Sequence, residues 1–153
     1  MGKYGTDTML SAELIMELSV DITEPYIVGQ AHGEYAKVIP ITGWTFCGQN
    51  LNGIILPGGA DWNTVIGDSA EDLKGIRHVF AKYVIRTDTG VCIAVENEGW
   101  KSMSPDNTTV IVTVPKLQTA APEYDWLNWG VYVGALIPRP DKSGVTLRFY
   151  RLK

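Results

Sequence analysis

The sequence predicts an all-β protein of antiparallel strands, and three observations predict it. Apolar residues hold every even position from Leu10 to Ile22, strand-like stretches recur along the remaining chain with turn signals between them, and helical periodicity is almost absent. At 153 residues, 45% hydrophobic and 20% charged, the chain has the size and make-up of one globular domain with enough length to bury a core. Residues 1–153 are therefore read as a single domain, with 1–9 a flexible N-terminal extension.

The first strand is the clearest. Leu10, Ala12, Leu14, Met16, Leu18, Val20 and Ile22 alternate with Ser11, Glu13, Glu17, Ser19 and Asp21, and Ile15 is the one exception. A period of two puts the apolar set on one face of a strand, whereas a helix would need spacings of three and four. Fully extended, this run would span about 43 Å, long for a strand and suited to a barrel or a strongly curved sheet. Further strand-like stretches follow Pro25, at 34–42, 44–47, 51–56, 79–87, 91–97, 108–114, 130–137 and 145–152. Gly48-Gln49-Asn50, Asp88-Thr89-Gly90, Pro105-Asp106-Asn107 and Asp141-Lys142-Ser143-Gly144 supply the turns. One short candidate helix lies at 69–73.

The hairpin at Asp88-Thr89-Gly90 fixes a register. Centring it on that turn sets Lys82 opposite Glu96, an opposite-charge pair on the even face. The odd face then gathers Val79, Ala81, Tyr83 and Ile85 against Val91, Ile93, Val95 and Asn97, an apolar surface broken by Tyr83 and Asn97. A slip of one residue would separate the two apolar faces, so the pattern selects the pairing. Arg86, on the even face, points away from the interior.

Composition also excludes functions. Thirteen Lys plus Arg against seventeen acids give a net charge of -4 with no basic cluster, so nucleic acid has no electrostatic footprint here. No apolar run approaches the roughly 20 residues of a membrane-spanning helix. Without a secretory apolar segment near the start, a cytoplasmic setting is expected, and Asn107-Thr108-Thr109 carries no weight as a glycosylation acceptor. Cys47 and Cys92 stand apart, neither a disulfide framework nor a metal motif. His32-Gly33-Glu34 lacks a third metal ligand, and His78 lies among cations. No Gly-x-Ser-x-Gly elbow is present, and Gly58-Gly59 lacks the lysine and glycine spacing of a phosphate loop. The expected protein uses neither metal nor cofactor.

Three groups of residues are the site candidates. Leu56-Pro57-Gly58-Gly59-Ala60-Asp61-Trp62 is a turn that delivers a carboxylate and an indole together at a strand end. Shielded at a barrel mouth, Asp61 would have its pKa raised toward the range of a general acid or base; in the plainer reading it caps backbone donors and Trp62 plugs the barrel. Tyr83 and Asn97, the inward polar pair, suit a carbonyl or hydroxyl of a bound molecule, or else form a satisfied core pair with the Tyr83 hydroxyl bonded to backbone. Tyr124, Trp126, Leu127, Asn128 and Trp129 read equally as a pocket wall and as barrel-end filling, with Asn128 the amide to mutate.

Four segments in this order resemble the domain-of-unknown-function 3237 family, also called uncharacterised protein family 0311. They are Ile39-Pro40-Ile41-Thr42-Gly43, Leu56-Pro57-Gly58-Gly59-Ala60-Asp61-Trp62, Tyr83 with Arg86-Thr87-Asp88-Thr89-Gly90, and Tyr124-x-Trp126-Leu127-Asn128. The resemblance runs from about residue 12 to 151. It implies a single antiparallel β-barrel of the calycin or allene-oxide-cyclase-like kind, and no established activity. Lys82-Tyr83 stands where the family often has Arg-Tyr, and Leu117-Gln118-Thr119 where it has Phe-Glu-Thr. If that glutamate does chemistry in relatives, Gln118 cannot act as a base, which strengthens Asp61.

The functional expectation is a small-molecule-binding barrel, a cofactor-independent lyase, isomerase or cyclase for a hydrophobic oxygenated compound. Asp61 would be the acid or base, Tyr83 and Asn97 would polarise a carbonyl, and Trp62, Trp126 and Asn128 would position the substrate. The alternative is a non-catalytic carrier or sensor that uses the same cavity without a shifted carboxyl. A barrel filled by Leu14, Met16, Leu18, Tyr83 and Ile93, active only at its surface, is the third reading. Outward Val and Ile positions lead us to expect a homo-oligomer.

Overall fold

The computed structural model describes residues 9–67, 75–102 and 110–153. Among them are ten strands: β1 Ala12–Ile22, β2 Tyr26–Ala31, β3 Glu34–Gly48, β4 Leu51–Ile55, β5 Ala60–Ile66, β6 Ile76–Thr87, β7 Cys92–Ser102, β8 Ile111–Gln118, β9 Tyr132–Pro138 and β10 Gly144–Leu152. They close into an eight-stave antiparallel barrel, as the alternation and the length of β1 foretold. From β6 to β10 each strand pairs with the next, β10 pairs β1, and β1 pairs β3. Closure satisfies the edges that an open sheet would expose. Only β2 lies outside the ring, as an extension along the first half of β3.

Ile15, the one odd apolar residue of β1, marks a β-bulge. The pairing with β10 shifts between Leu14 and Met16, so Ile15 and Met16 are both buried and Leu14 turns outward. Leu14 therefore does not fill the interior as expected. Beyond the bulge Met16, Leu18 and Val20 face the core as the even pattern requires.

The stretches expected as two strands at 34–42 and 44–47 are one, β3, bent where Gly43 and Trp44 take φ of 144 and 96. Its first half pairs with β2 and β5, its second with β1 and β4. β4 and β5 together form one stave between β3 and β6, interrupted by Leu56-Pro57-Gly58-Gly59. Ile41 N–H donates to Gly59 O at 2.9 Å and Leu56 N–H to Val84 O at 2.9 Å, which knit this interruption to both neighbours. The backbone of β6 passes so close to Gly59 that a Cβ there would stand 2.5 Å from both Lys82 O and Tyr83 Cβ.

The register of β6 against β7 is the expected one, with Lys82 opposite Glu96 and Tyr83 opposite Val95. Val79, Tyr83, Ile85, Ile93, Val95 and Asn97 are buried, and Arg86 is exposed on the outer face. Phe149, Ile85, Ile93 and Leu18 are fully enclosed at the centre of the barrel. One end is plugged by a 3-10 turn, Pro122–Tyr124, and a single helical turn, α1 (Trp126–Trp129), which inserts Leu127 into the core.

Two strands escape the sequence pattern: β2, whose Tyr26, Ile27 and Val28 are all exposed, and β5, hidden behind the Pro-Gly-Gly segment. β8 continues through Pro115, past the expected end at Val114, in a stretch where it pairs only with β7. The candidate helix at 69–73, the turn Pro105-Asp106-Asn107, Asn107 itself and residues 1–8 lie outside the described residues. No helix among the described residues is long and apolar enough to cross a membrane. Trp44, Trp62, Trp100, Val112 and Val114 are exposed on the outside of the barrel, the surface on which self-association would have to act.

Candidate active site at the open end of the barrel

The end opposite the α1 plug holds the polar interior. Strand register sets Ile39, Asp61, Ala81, Asn97 and Pro115 side by side in one row across five strands. Asp61 and Asn97 are two strands apart, about 10 Å between backbones, and the small Ala81 between them leaves room. That room is a cavity of about 60 Å³ bordered by Asp61, Ala81 and Asn97 and by Ile22, Ile39, Val79, Leu136, Val145 and Leu147. Ile22 and Ile39 also border a groove of about 520 Å³ at the mouth, lined further by Thr23, Glu24, Pro25, Lys37, Lys142 and Ser143. The interior is thus neither wholly filled nor wide.

Asp61 is held by its neighbours. One carboxylate oxygen accepts the Phe80 backbone N–H at 2.9 Å and the other accepts Asn63 Nδ2–H at 3.0 Å. Asn63 Oδ1 in turn accepts a hydrogen bond from Arg77 Nη1. Burial pushes the Asp61 carboxyl above the usual aspartate range, and it outweighs the Asn63 and Phe80 hydrogen bonds and the charges of Arg77 and Lys37, all of which pull the other way. The result is a fixed carboxyl whose neutral form is favoured more than in an exposed aspartate.

Tyr83 and Asn97 both face inward, as the hairpin register required. Tyr83 Oη, Asn97 Oδ1 and Thr113 Oγ1 are buried without a protein hydrogen-bond partner, one on each of β6, β7 and β8. A buried orphan of this kind costs about 1–3 kcal/mol, and here three stand on adjacent strands. Asn97 borders the cavity. It is diagonal to Tyr83 on one side and to Thr113 on the other. Burial pushes the Tyr83 phenol far up, so it stays a neutral O–H donor.

Tyr83 does not border this cavity, and the remaining candidates are not brought to it either. Trp62 alternates with Asp61 and Asn63 on β5 and points out of the barrel, 60% exposed. Trp126 and Asn128 belong to the plug at the far end. Asn128 clamps the chain there: its Oδ1 accepts the Thr119 N–H at 2.8 Å, and its Nδ2 donates to Thr119 O at 2.9 Å. Trp126 lies under the Arg151 guanidinium, 5.6 Å from the ring centroid, beside a separate groove lined by Glu13, Gln49, Tyr124 and Lys153. His32 is exposed in the β2–β3 turn with φ of 53, while His78 bonds Glu98 at 2.7 Å and stacks on Trp100. Lys37, Asn63, Arg77 and Thr113 were not foreseen. Parity would have found two of them, since Arg77 lies two before Val79 and Lys37 two before Ile39.

The fold and site define a class: a small closed antiparallel β-barrel with a polar, partly open end. The chain belongs to the family described as protein of unknown function (DUF3237), whose model matches residues 10–152. It is 27% identical to a UPF0311 protein of Clostridium acetobutylicum over 158 aligned positions, 94% of each chain. The solved structure of a β-barrel-like protein from Acinetobacter baumannii superposes with a TM-score of 0.79 at 30% identity, covering 95% of this chain and 97% of that one. A protein of unknown function from Clostridium acetobutylicum gives 0.81 at 26%, covering 95% and 100%. A Penicillium herquei protein described as an enzyme gives 0.71 at 19%, covering 100% of both chains, a likeness of fold alone.

Proposed function

We propose that the open end of the barrel binds a small hydrophobic oxygenated molecule and that Asp61 moves a proton on it, as a lyase, isomerase or cyclase would without a cofactor. The observation that carries this reading is the shared cavity: a carboxyl with a raised pKa and an unpartnered amide oxygen border one apolar hollow. In this scheme the Asp61 carboxylate takes a proton from the bound molecule and the resulting acid returns one at another atom, so Asp61 ends in the carboxylate form in which it began. Tyr83 supplies a neutral O–H donor toward developing charge, and Asn97 Oδ1 accepts from a ligand hydroxyl. The Penicillium herquei barrel, described as an enzyme, is a precedent for catalysis within this fold.

The test is native mass spectrometry of gently purified protein, then denaturation and identification of the released molecule. An oxygenated hydrophobe in stoichiometric amount that wild type converts and Asp61→Asn only binds supports the proposal. A ligand that wild type retains unchanged makes the protein a carrier. Turnover that survives both Asp61→Asn and Tyr83→Phe refutes the assigned roles.

A further inference from the structure

The mouth groove carries more positive charge than its surroundings balance. Lys37 is half-buried on the inner face of β3, directly opposite Asn63, and lines the groove together with Lys142. Burial is the main influence disfavouring the Lys37 ammonium form, and Arg77 and Lys142 add to it as like charges. Asp61 is the one carboxylate with a resolved pull on Lys37, and its oxygens are already engaged by Phe80 and Asn63. Among the described residues, Lys37, Arg77 and Lys142 take part in no ion pair, although four other Lys or Arg side chains pair with carboxylates on the barrel. Glu24 also lines the groove and, like Lys142, is exposed, so the groove holds two lysines against one carboxylate. Lys142 moreover holds a left-handed φ of 63 in the β9–β10 turn, a conformation that most non-glycine residues avoid.

Lys37 and Arg77, both partly removed from water, and the exposed Lys142 at the rim repel one another until an anion arrives. The groove that holds two of them opens through Ile22 and Ile39 onto the hollow where Asn97 Oδ1, 98% shielded by its residue's burial, lacks a donor. We propose that the ligand is a hydroxylated organic acid: its anionic oxygen rests between Lys37 and Lys142 in the groove, its apolar body passes Ile22 and Ile39, and a hydroxyl at the far end donates to Asn97 Oδ1. This rests on the reading of the open end as a ligand site and names the chemical class that such a site selects.

Calorimetric titration at neutral pH with two matched probes tests it. One is a hydroxynaphthoic acid with hydroxyl and carboxyl at opposite ends of the ring system, and the other is its neutral carboxamide. The acid is expected to bind roughly tenfold more tightly. Lys37→Gln and Lys142→Gln should each reduce that preference, and the double variant should abolish it. Equal affinity for both probes, or a preference that persists in the folded double variant, overturns the acid assignment and leaves the ligand site standing. Failure of both probes to bind overturns the ligand site as well.

Discussion

Asn97 stands in the same cross-strand row as Asp61, with only Ala81 between them, and both border one hollow inside the barrel. The relationship depends on two departures from regular strands. The Leu56-Pro57-Gly58-Gly59 interruption sets where β5 begins, and so which way Asp61 faces. The β6–β7 register sets Asn97.

Asp61 is expected to titrate above the ordinary aspartate range, read by carbon-detected NMR of its side-chain carboxyl. Because burial raises its folded-state pKa, the folded protein binds the proton more tightly than the unfolded chain does. This contribution to stability is fully present below the unfolded value and is lost as pH rises through the raised folded value. Thermal unfolding of wild type against Asp61→Asn should therefore show wild type losing ground across that interval as pH increases. A difference independent of pH contradicts the assignment.

Tyr83→Phe removes a buried hydroxyl that has no protein partner. Stability should hold or rise by up to about 1 kcal/mol, with ligand affinity or turnover reduced. Chemical denaturation and a binding titration on one preparation check both halves.

Gly59→Ala should cost about 2–4 kcal/mol, because its Cβ would meet the β6 backbone, which cannot move without opening the sheet. Gly58→Ala should cost less. Open space surrounds that position, and only its φ of 108 opposes a side chain. Equal midpoints in denaturant for the two variants would contradict the close approach at Gly59.

Asn128→Ala should lower stability by about 1–3 kcal/mol through the loss of its two bonds to the Thr119 backbone, without changing hydroxynaphthoate affinity. A large loss of affinity would return the plug end to the binding site.

Alternation made the inward set on β1, β6 and β7 legible in the sequence, and the turn at Asp88-Thr89-Gly90 fixed the pairing that buries Tyr83 and Asn97. The bulge at Ile15 was visible only as an exception, since its cause lies in the pairing with β10. β5 stayed hidden because Pro-Gly-Gly reads as a turn that ends a strand, whereas here β3 and β6 bridge it and the stave resumes. With β5 unseen, Asp61 could be singled out by its residue type but not paired with Asn63 and Arg77. Aromatic density grouped Trp62, Trp126 and Asn128 with the site. Their separation into an outer face and an opposite plug follows from barrel closure, a long-range property that no local window contains.

The most direct test of the account is methyl-labelled NMR of Ile, Leu and Val during titration with the hydroxynaphthoic acid. Shifts concentrated at Ile22, Ile39, Val79, Leu136, Val145 and Leu147, the walls of the hollow, are the expected result. Shifts centred on Ile15 and Leu127 beside the Trp126 plug, or none at saturating probe, would contradict it.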